Sequence, residues 1–257
     1  QDALDAAAFC PGNVQEIWVA EGTYLPTTPR NGATDRHKTF FIASDVKIFG
    51  GFSGSETMSS QRNWNTHPTI LSGDIGAVND ISDNAYHVVW IEGCNSAMEL
   101  DGFTITKGKL HFNAAVANAG AGIYNNAANH NSTPTIRNCI ITGNEGATNT
   151  IGAGMYNHGH YYNASPTMID CTFSNNTAPG NSNGGAMYNY AYGTGGNASP
   201  VLTNCAFTNN YAAFRGGGIY SQSESDGICA PVLTNCTFTS NSTTYQSGGS
   251  IYHVGQT

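Results

Sequence analysis

Apolar and polar residues alternate along this chain in runs of a few positions, each closed by Gly, Asn, Pro, Ser or Asp. Alternation at period two over so short a length is the pattern of a strand with one buried face, and it leaves no room for the longer period of an amphipathic helix. In the first 110 residues the runs are Glu16-Ile17-Trp18-Val19-Ala20, Phe40-Phe41-Ile42, Val46-Lys47-Ile48-Phe49-Gly50-Gly51-Phe52, Pro68-Thr69-Ile70-Leu71 and His87-Val88-Val89-Trp90-Ile91. Only the Ala-rich opening, Asp2 to Phe9, reads as helix.

Beyond residue 110 the pattern itself repeats. Gly120-Ala121-Gly122-Ile123-Tyr124 recurs with its tyrosine shifted by 32 residues four times running, giving Tyr124, Tyr156, Tyr188, Tyr220 and Tyr252. Between these lies a second motif that starts at Pro134, Pro166, Pro200 and Pro231 and places Cys139, Cys171, Cys205 and Cys236 five residues later. Ile141, Phe173, Phe207 and Phe238 follow, and then Asn144, Asn176, Asn210 and Asn241. Leu100, Phe103 and Ile105 occupy the spacing of Leu202, Cys205 and Phe207, which extends the ladder upstream.

A fixed period of this length built from short strands is one coil of a β-solenoid, in which each strand pairs with its equivalent one coil away at about 4.8 Å. The fold expected is all-β: a parallel β-helix of roughly seven to eight coils with a short N-terminal capping helix. A single domain spans residues 1–257, with the cap in 1–12, irregular coils in 13–110 and regular 32-residue coils in 111–257. Stacking puts like on like, so Cys and Phe/Ile fill the core. Asn at a fixed turn position suits left-handed backbone and offers an amide to its neighbour one coil away.

Composition supports the stacking. Only 10% of residues are charged, and residues 111–257 hold just Arg137, Arg215, Glu145, Asp170, Glu224 and Asp226, as expected where in-register pairing would set like charges side by side. The net charge of -8 opposes nucleic acid or anionic lipid as a partner. Val88-Val89-Trp90-Ile91 is among the longest apolar runs, far short of the roughly 20 residues a membrane-spanning helix needs, so no direct membrane insertion is expected.

With the motifs in hand, the alternation of Gly-Gly-x-Ile with Phe-x-x-Asn resembles the repeats of the chlamydial polymorphic outer-membrane proteins. Asp2-Ala3-Leu4-Asp5-Ala6-Ala7, Glu16 to Tyr24, Ile70-Leu71-Ser72-Gly73-Asp74-Ile75, Tyr86-His87-Val88-Val89 and Leu100-Asp101-Gly102-Phe103-Thr104-Ile105 are similar to bacterial surface proteins of the right-handed parallel β-helix class common in Bacteroidetes. The resemblance covers essentially the whole chain. It implies a right-handed helix, an extracellular or outer-membrane-surface location, and a C-terminal anchoring or sorting domain beyond Tyr252. It implies little about activity, since that class contains adhesins, passenger domains, lyases and hydrolases.

Several residue groups could carry chemistry. The single-file Cys139, Cys171, Cys205 and Cys236 suit a stack of small buried side chains better than a tetrahedral zinc site. Cys10, Cys94 and Cys229 lie outside that ladder, and a disulfide, for instance between Cys229 and Cys236, is an open alternative in an exported protein. Asp74, Asp80 and Asp83, with Asn79 and Asn84, form one oxygen-rich loop; it reads either as a structural calcium site, the only cofactor considered, or as turn residues capping their own backbone. His158 and His160 read as loop surface without a third metal ligand. Glu224 and Asp226, the one close acidic pair of the regular coils, read as a solvated loop tip rather than a glycosidase pair. Arg137 and Arg215 fall at different coil positions and make no lyase site. Asn-x-Ser/Thr at Asn131, Asn163, Asn175, Asn197, Asn235 and Asn241 follows from the composition.

The stacked tyrosines Tyr124, Tyr156, Tyr188, Tyr220 and Tyr252 are the leading surface candidate. Each is adjacent to an inward Ile or Met, so on a strand it points outward, where a ladder of rings could stack on sugars or lie beneath the loops. The function expected is a non-catalytic module, an adhesin or stalk that binds a glycan or host-surface ligand. The alternatives are a carbohydrate-active enzyme, whose site would lie in the charged first 110 residues, and a plain spacer.

Overall fold

A strand of three to six residues with one apolar side is unstable alone and must find both a ladder partner and a core. In this chain both come from the next coil. The structure is a computed structural model describing residues 1–9, 12–30, 34–112, 118–246 and 248–255. It is an all-β parallel solenoid of about seven turns with one short helix, Asp2–Phe9. Three sheets of seven strands run its length. The first face goes from Glu16–Ala20 to Val232–Thr234, the second from Gly22–Tyr24 to Thr237–Thr239. The third comprises Phe40–Ile42, Val89–Glu92, Ile123–Ala127, Met155–His160, Met187–Tyr192, Ile219–Glu224 and Ile251–Val254. A small fourth sheet joins Thr177–Ala178, Tyr211–Ala212 and Ser242–Thr243.

Register follows the motif. Ile136, Met168 and Leu202 align on the first face; Ile105, Ile141, Phe173, Phe207 and Phe238 on the second; Ile123, Met155, Met187, Ile219 and Ile251 on the third. Apart from Ile251, which is exposed in the last described coil, their side chains meet in one continuous apolar column. Phe173, Phe207 and Phe238 stack face to face, with centroids 5.0 and 4.7 Å apart and planes within 4°. Cys139, Cys171 and Cys205 are buried at a corner of the column, and each thiol donates to a carbonyl of the preceding coil, as Cys171 does to Ile136 at 3.5 Å. These cysteines, with Cys94, Cys229 and Cys236, are free thiols, and burial pushes Cys94, Cys139 and Cys229 up to about 12. The open disulfide alternative between Cys229 and Cys236 is therefore not realised, while Cys10 lies outside the described residues.

The asparagine ladder forms with one correction to its reasoning. Asn144 Nδ2 donates to Asn176 Oδ1 at 3.1 Å, Asn176 to Asn210 at 3.0 Å and Asn210 to Asn241 at 2.9 Å. The left-handed backbone, however, falls on the preceding residue: Gly143, Asn175, Asn209 and Ser240 have φ of 62, 54, 55 and 56°. That kink turns the next side chain inward, so the laddered Asn keeps ordinary backbone and is buried. At the Gly-Gly motif, Gly152 turns at φ +60°, where a Cβ would come within 2.5 Å of the Met155 carbonyl.

At the N-terminus, Ala7 is buried in the column and Leu4 packs against it, which places the helix over the first coil as expected of a cap. An apolar cavity of about 430 Å³ remains between Leu4 and residues such as Ile17, Phe40 and Leu71. The helix is eight residues long; no described helix is long and apolar enough to cross a membrane.

Candidate ligand-binding face

The third face is built from a pattern that runs past the repeated tyrosine. In Tyr156-Asn157-His158-Gly159-His160, Tyr188-Asn189-Tyr190-Ala191-Tyr192 and Tyr220-Ser221-Gln222-Ser223-Glu224, small residues alternate with large polar ones. Strands of six residues result, pairing without a shift across three coils. Asn157 and Asn189 turn inward. Asn125 Nδ2 donates to Asn157 Oδ1 at 3.1 Å, Asn157 to Asn189 at 2.8 Å and Asn189 to Ser221 Oγ at 3.1 Å, a second buried amide ladder. The alternate residues stand outward in three rows.

The first row is the tyrosine ladder. It points away from the column as expected, but Tyr124, Tyr156, Tyr188 and Tyr220 are only 3–7% exposed. The rings cover one another: Tyr124 and Tyr156 stack at 5.5 Å, Tyr188 and Tyr220 lie 4.7 Å apart, and Tyr220 and Tyr252 are parallel at 5.7 Å. Trp90 and Phe41 continue the cluster toward the first coils. In-register stacking packs ring against ring along the axis, face to face at Tyr124–Tyr156 and Tyr220–Tyr252 and edge-on at Tyr156–Tyr188, so this row is a spine beneath the surface. Tyr252, in the last described coil, is half-buried.

The second and third rows reach solvent, and here two sequence readings change. His158 and His160 lie on the strand Met155–His160, not in a loop, because the alternation continues past Tyr156. Glu224 ends the strand Ile219–Glu224, whereas Asp226 sits exposed in the turn beyond. His158 stacks on Tyr190 at 6.1 Å and His160 on Tyr192 at 5.1 Å. Burial pushes His158 down to about 4, with His160 adding to the shift.

The hydrogen bonds have one direction. Tyr188 and Tyr220 donate to Gln222 Oε1 at 2.6 and 3.2 Å, Gln222 Nε2 donates to Glu224, and Tyr190 donates to Glu224 Oε2 at 3.0 Å. Desolvation, then donation to Glu224, pushes the Tyr190 phenol up to about 12. Glu92, toward the other end of the face, likewise accepts from Trp90 Nε1 at 3.0 Å, Asn126 Nδ2 at 3.2 Å and Arg30 at 3.2 Å. Its row leads through Asn126, His158 and Tyr190 to Gln222, four strand spacings or about 19 Å along the axis. Glycosidase carboxylates stand about 5 to 9.5 Å apart, so Glu92 and Glu224 are no such pair.

One residue departs from the ladder geometry. Tyr161 follows the strand with φ 61°, at a left-handed corner that Gly193 (φ 76°) and Ser225 (φ 51°) share one and two coils on, and among these three only Tyr161 carries a bulky side chain there. Its ring is turned edge-on to His160 and Tyr192, at 71 and 84°. It packs on Gly193, where an added Cβ would come within 2.2 Å of Cε1, and the residue is 51% exposed. With one ring face on a glycine and half of the residue in solvent, Tyr161 is a platform beside Tyr192, with Glu224 one coil beyond Tyr192. Sequence reasoning singled out neither Tyr161 nor Tyr190, Tyr192 and Gln222, although the alternation of the last three was legible.

The other candidates are engaged locally. Asp74 is paired with Lys107 Nζ at 2.6 Å and accepts Asn79 N–H at 3.0 Å. Asp80 caps Ser82 N–H at 2.9 Å, and Asp83 accepts from Ala77 N–H at 2.8 Å. Among the described residues no three His, Cys, Asp or Glu side chains are grouped to hold a metal ion. Arg137 pairs with Glu99 at 3.1 Å, and Arg215 donates to Gln246 at 2.6 Å. No family model, curated protein or solved structure matches the chain.

Proposed function

We propose that this chain is a non-catalytic surface module of an exported bacterial protein, of the right-handed β-helix type, whose third face binds a glycan as an adhesin or stalk would. The observation that carries the reading is Tyr161: an exposed ring seated on Gly193 at a corner of the coil, next to two half-exposed rows of hydrogen-bonding groups, Tyr190 and Gln222 in one and Tyr192 and Glu224 in the other. A flat apolar ring face flanked by oriented polar groups is the chemistry that recognises a pyranose, whose C–H face stacks while its hydroxyls pair. The surface location rests on the motif resemblance.

The test is a glycan array on the purified chain, followed by calorimetric titration of the best ligand. Tyr161→Asn, which keeps a residue tolerant of positive φ, should lower affinity about tenfold or more while leaving the thermal midpoint within a few degrees. Absence of binding across the array, or turnover with release of unsaturated uronate products, would overturn the reading.

A further inference from the structure

The glycan-binding reading leaves the class of sugar open, and the polarity of the hydrogen bonds narrows it. Around Glu224 the neighbouring protons point toward the carboxylate: Tyr190 donates to it directly, and Tyr188 and Tyr220 reach it through Gln222. The network therefore turns acceptor lone pairs outward, and a ligand that completes it must donate. The outward rows, Glu92, the buried Asn126, His158, Tyr190, Gln222 and Val254 in one and His160, Tyr192 and Glu224 in the other, contain two carboxylates and neither Lys nor Arg. The cations that border the face are engaged: Arg30 with Glu92 and over the Phe41 ring at 3.6 Å, Arg215 with Gln246 and over Phe214 at 4.7 Å. Uronates, sialates and sulfated sugars would meet carboxylates without a counter-charge.

A ring face resting on Gly193, with a carboxylate on the coil after that glycine and two coils from Tyr161's own strand, is, by contrast, a recognition pair for an ammonium group, which gains from the aromatic quadrupole and from a charge-assisted hydrogen bond together. Gly193 N–H donates to the Glu224 carbonyl at 3.2 Å, so the glycine beneath Tyr161 is bonded to the residue that carries the carboxylate. Resting on the glycan-binding reading above, we propose that the site selects amino sugars with a free amine, the ring of a glucosamine-type residue lying on Tyr161 and its ammonium on Glu224.

The experiment compares β-1,4-linked glucosamine oligomers with N-acetylglucosamine oligomers of equal length, titrated into the wild-type chain at low and moderate salt. The amine form is expected to bind at least about tenfold tighter, the difference shrinking as salt rises. Glu224→Gln, which keeps the shape and the Tyr190 bond, should bring the two ligands level. Equal binding of both by the wild-type chain would overturn the amine selection while leaving glycan recognition in place. Binding of neither, with other glycans bound on the array, would also overturn it; no glycan bound at all would remove the reading beneath it. The comparison needs no variant, so a folding defect in Glu224→Gln would not blunt it.

Discussion

A buried asparagine amide must find partners for two donors and an acceptor, and a solenoid coil offers them at a fixed distance above and below. Asn176 meets the demand through Ile141 O, Asn210 Oδ1 and the N–H groups of Asn144. Asn176→Ala should therefore cost about 2–4 kcal/mol in denaturant unfolding, since it leaves buried donors unpaired. Asn241→Ala in the half-exposed last coil should cost visibly less. Histidines supply a pH dependence. His87 and His158 are held neutral by burial, with values near 4; at His87 the Gly120 carbonyl opposes the shift and His37 adds to it. The unfolded chain protonates them near 6.5, so between about pH 4 and 6.5 it binds more protons than the folded chain. Stability must then rise with pH across that window and hold above it. Unfolding midpoints at pH 4.5 and 7.5 should differ, and the difference should shrink in His158→Gln; an unchanged difference would count against this assignment. The Asn ladder was legible because its residue recurs. The kink before it was not, because Gly, Asn and Ser all fill that position and only backbone angles reveal their common task.

At the scale of the strand, the third face shows how much a two-residue period settles. Every outward residue from Tyr156 to His160 is one step from facing the column. A glycine inserted between Tyr188 and Asn189 would thus send Asn189 outward and Tyr190 inward. It should lower the thermal midpoint by more than ten degrees (from a cost of several kcal/mol), whereas the same insertion between Thr194 and Gly195 should shift it little. Natural variation already uses that turn: Tyr188 to Pro200 is two residues longer than Tyr156 to Pro166. The strand candidates of the first 110 residues matched their apolar runs, but Gly22–Tyr24 and the two-residue strands of the fourth sheet went unseen. They are too short to show a period. The candidate site was legible only in part for a related reason. Attention fell on the invariant tyrosine, while the surface is made by residues that differ from coil to coil.

Across the whole molecule, each coil touches only its neighbours, so energy is exchanged locally even though the column is continuous. Phe207→Ala, which removes one ring from the Phe173–Phe207–Phe238 stack, should cost about 3–5 kcal/mol. Hydrogen exchange followed by peptide should speed up most in the strands around Phe173, Phe207 and Phe238 and little near Ile48; uniform acceleration would instead indicate a single cooperative block. The solenoid was readable from the sequence because repetition amplifies a weak strand signal, as the match of Leu100 and Ile105 to the later ladder illustrates. The amide ladders carry one more implication. Both donate toward the C-terminal coil, and Asn125 Oδ1, at the head of one, has no hydrogen-bond partner where the preceding coil supplies Ile91. The stacks therefore have an arrow. Middle coils are exchangeable cassettes, each receiving a proton from one side and passing one to the other. The coil bearing Ile91 ends the third-face ladder, and the coil of Phe40–Ile42 before it takes no part in it.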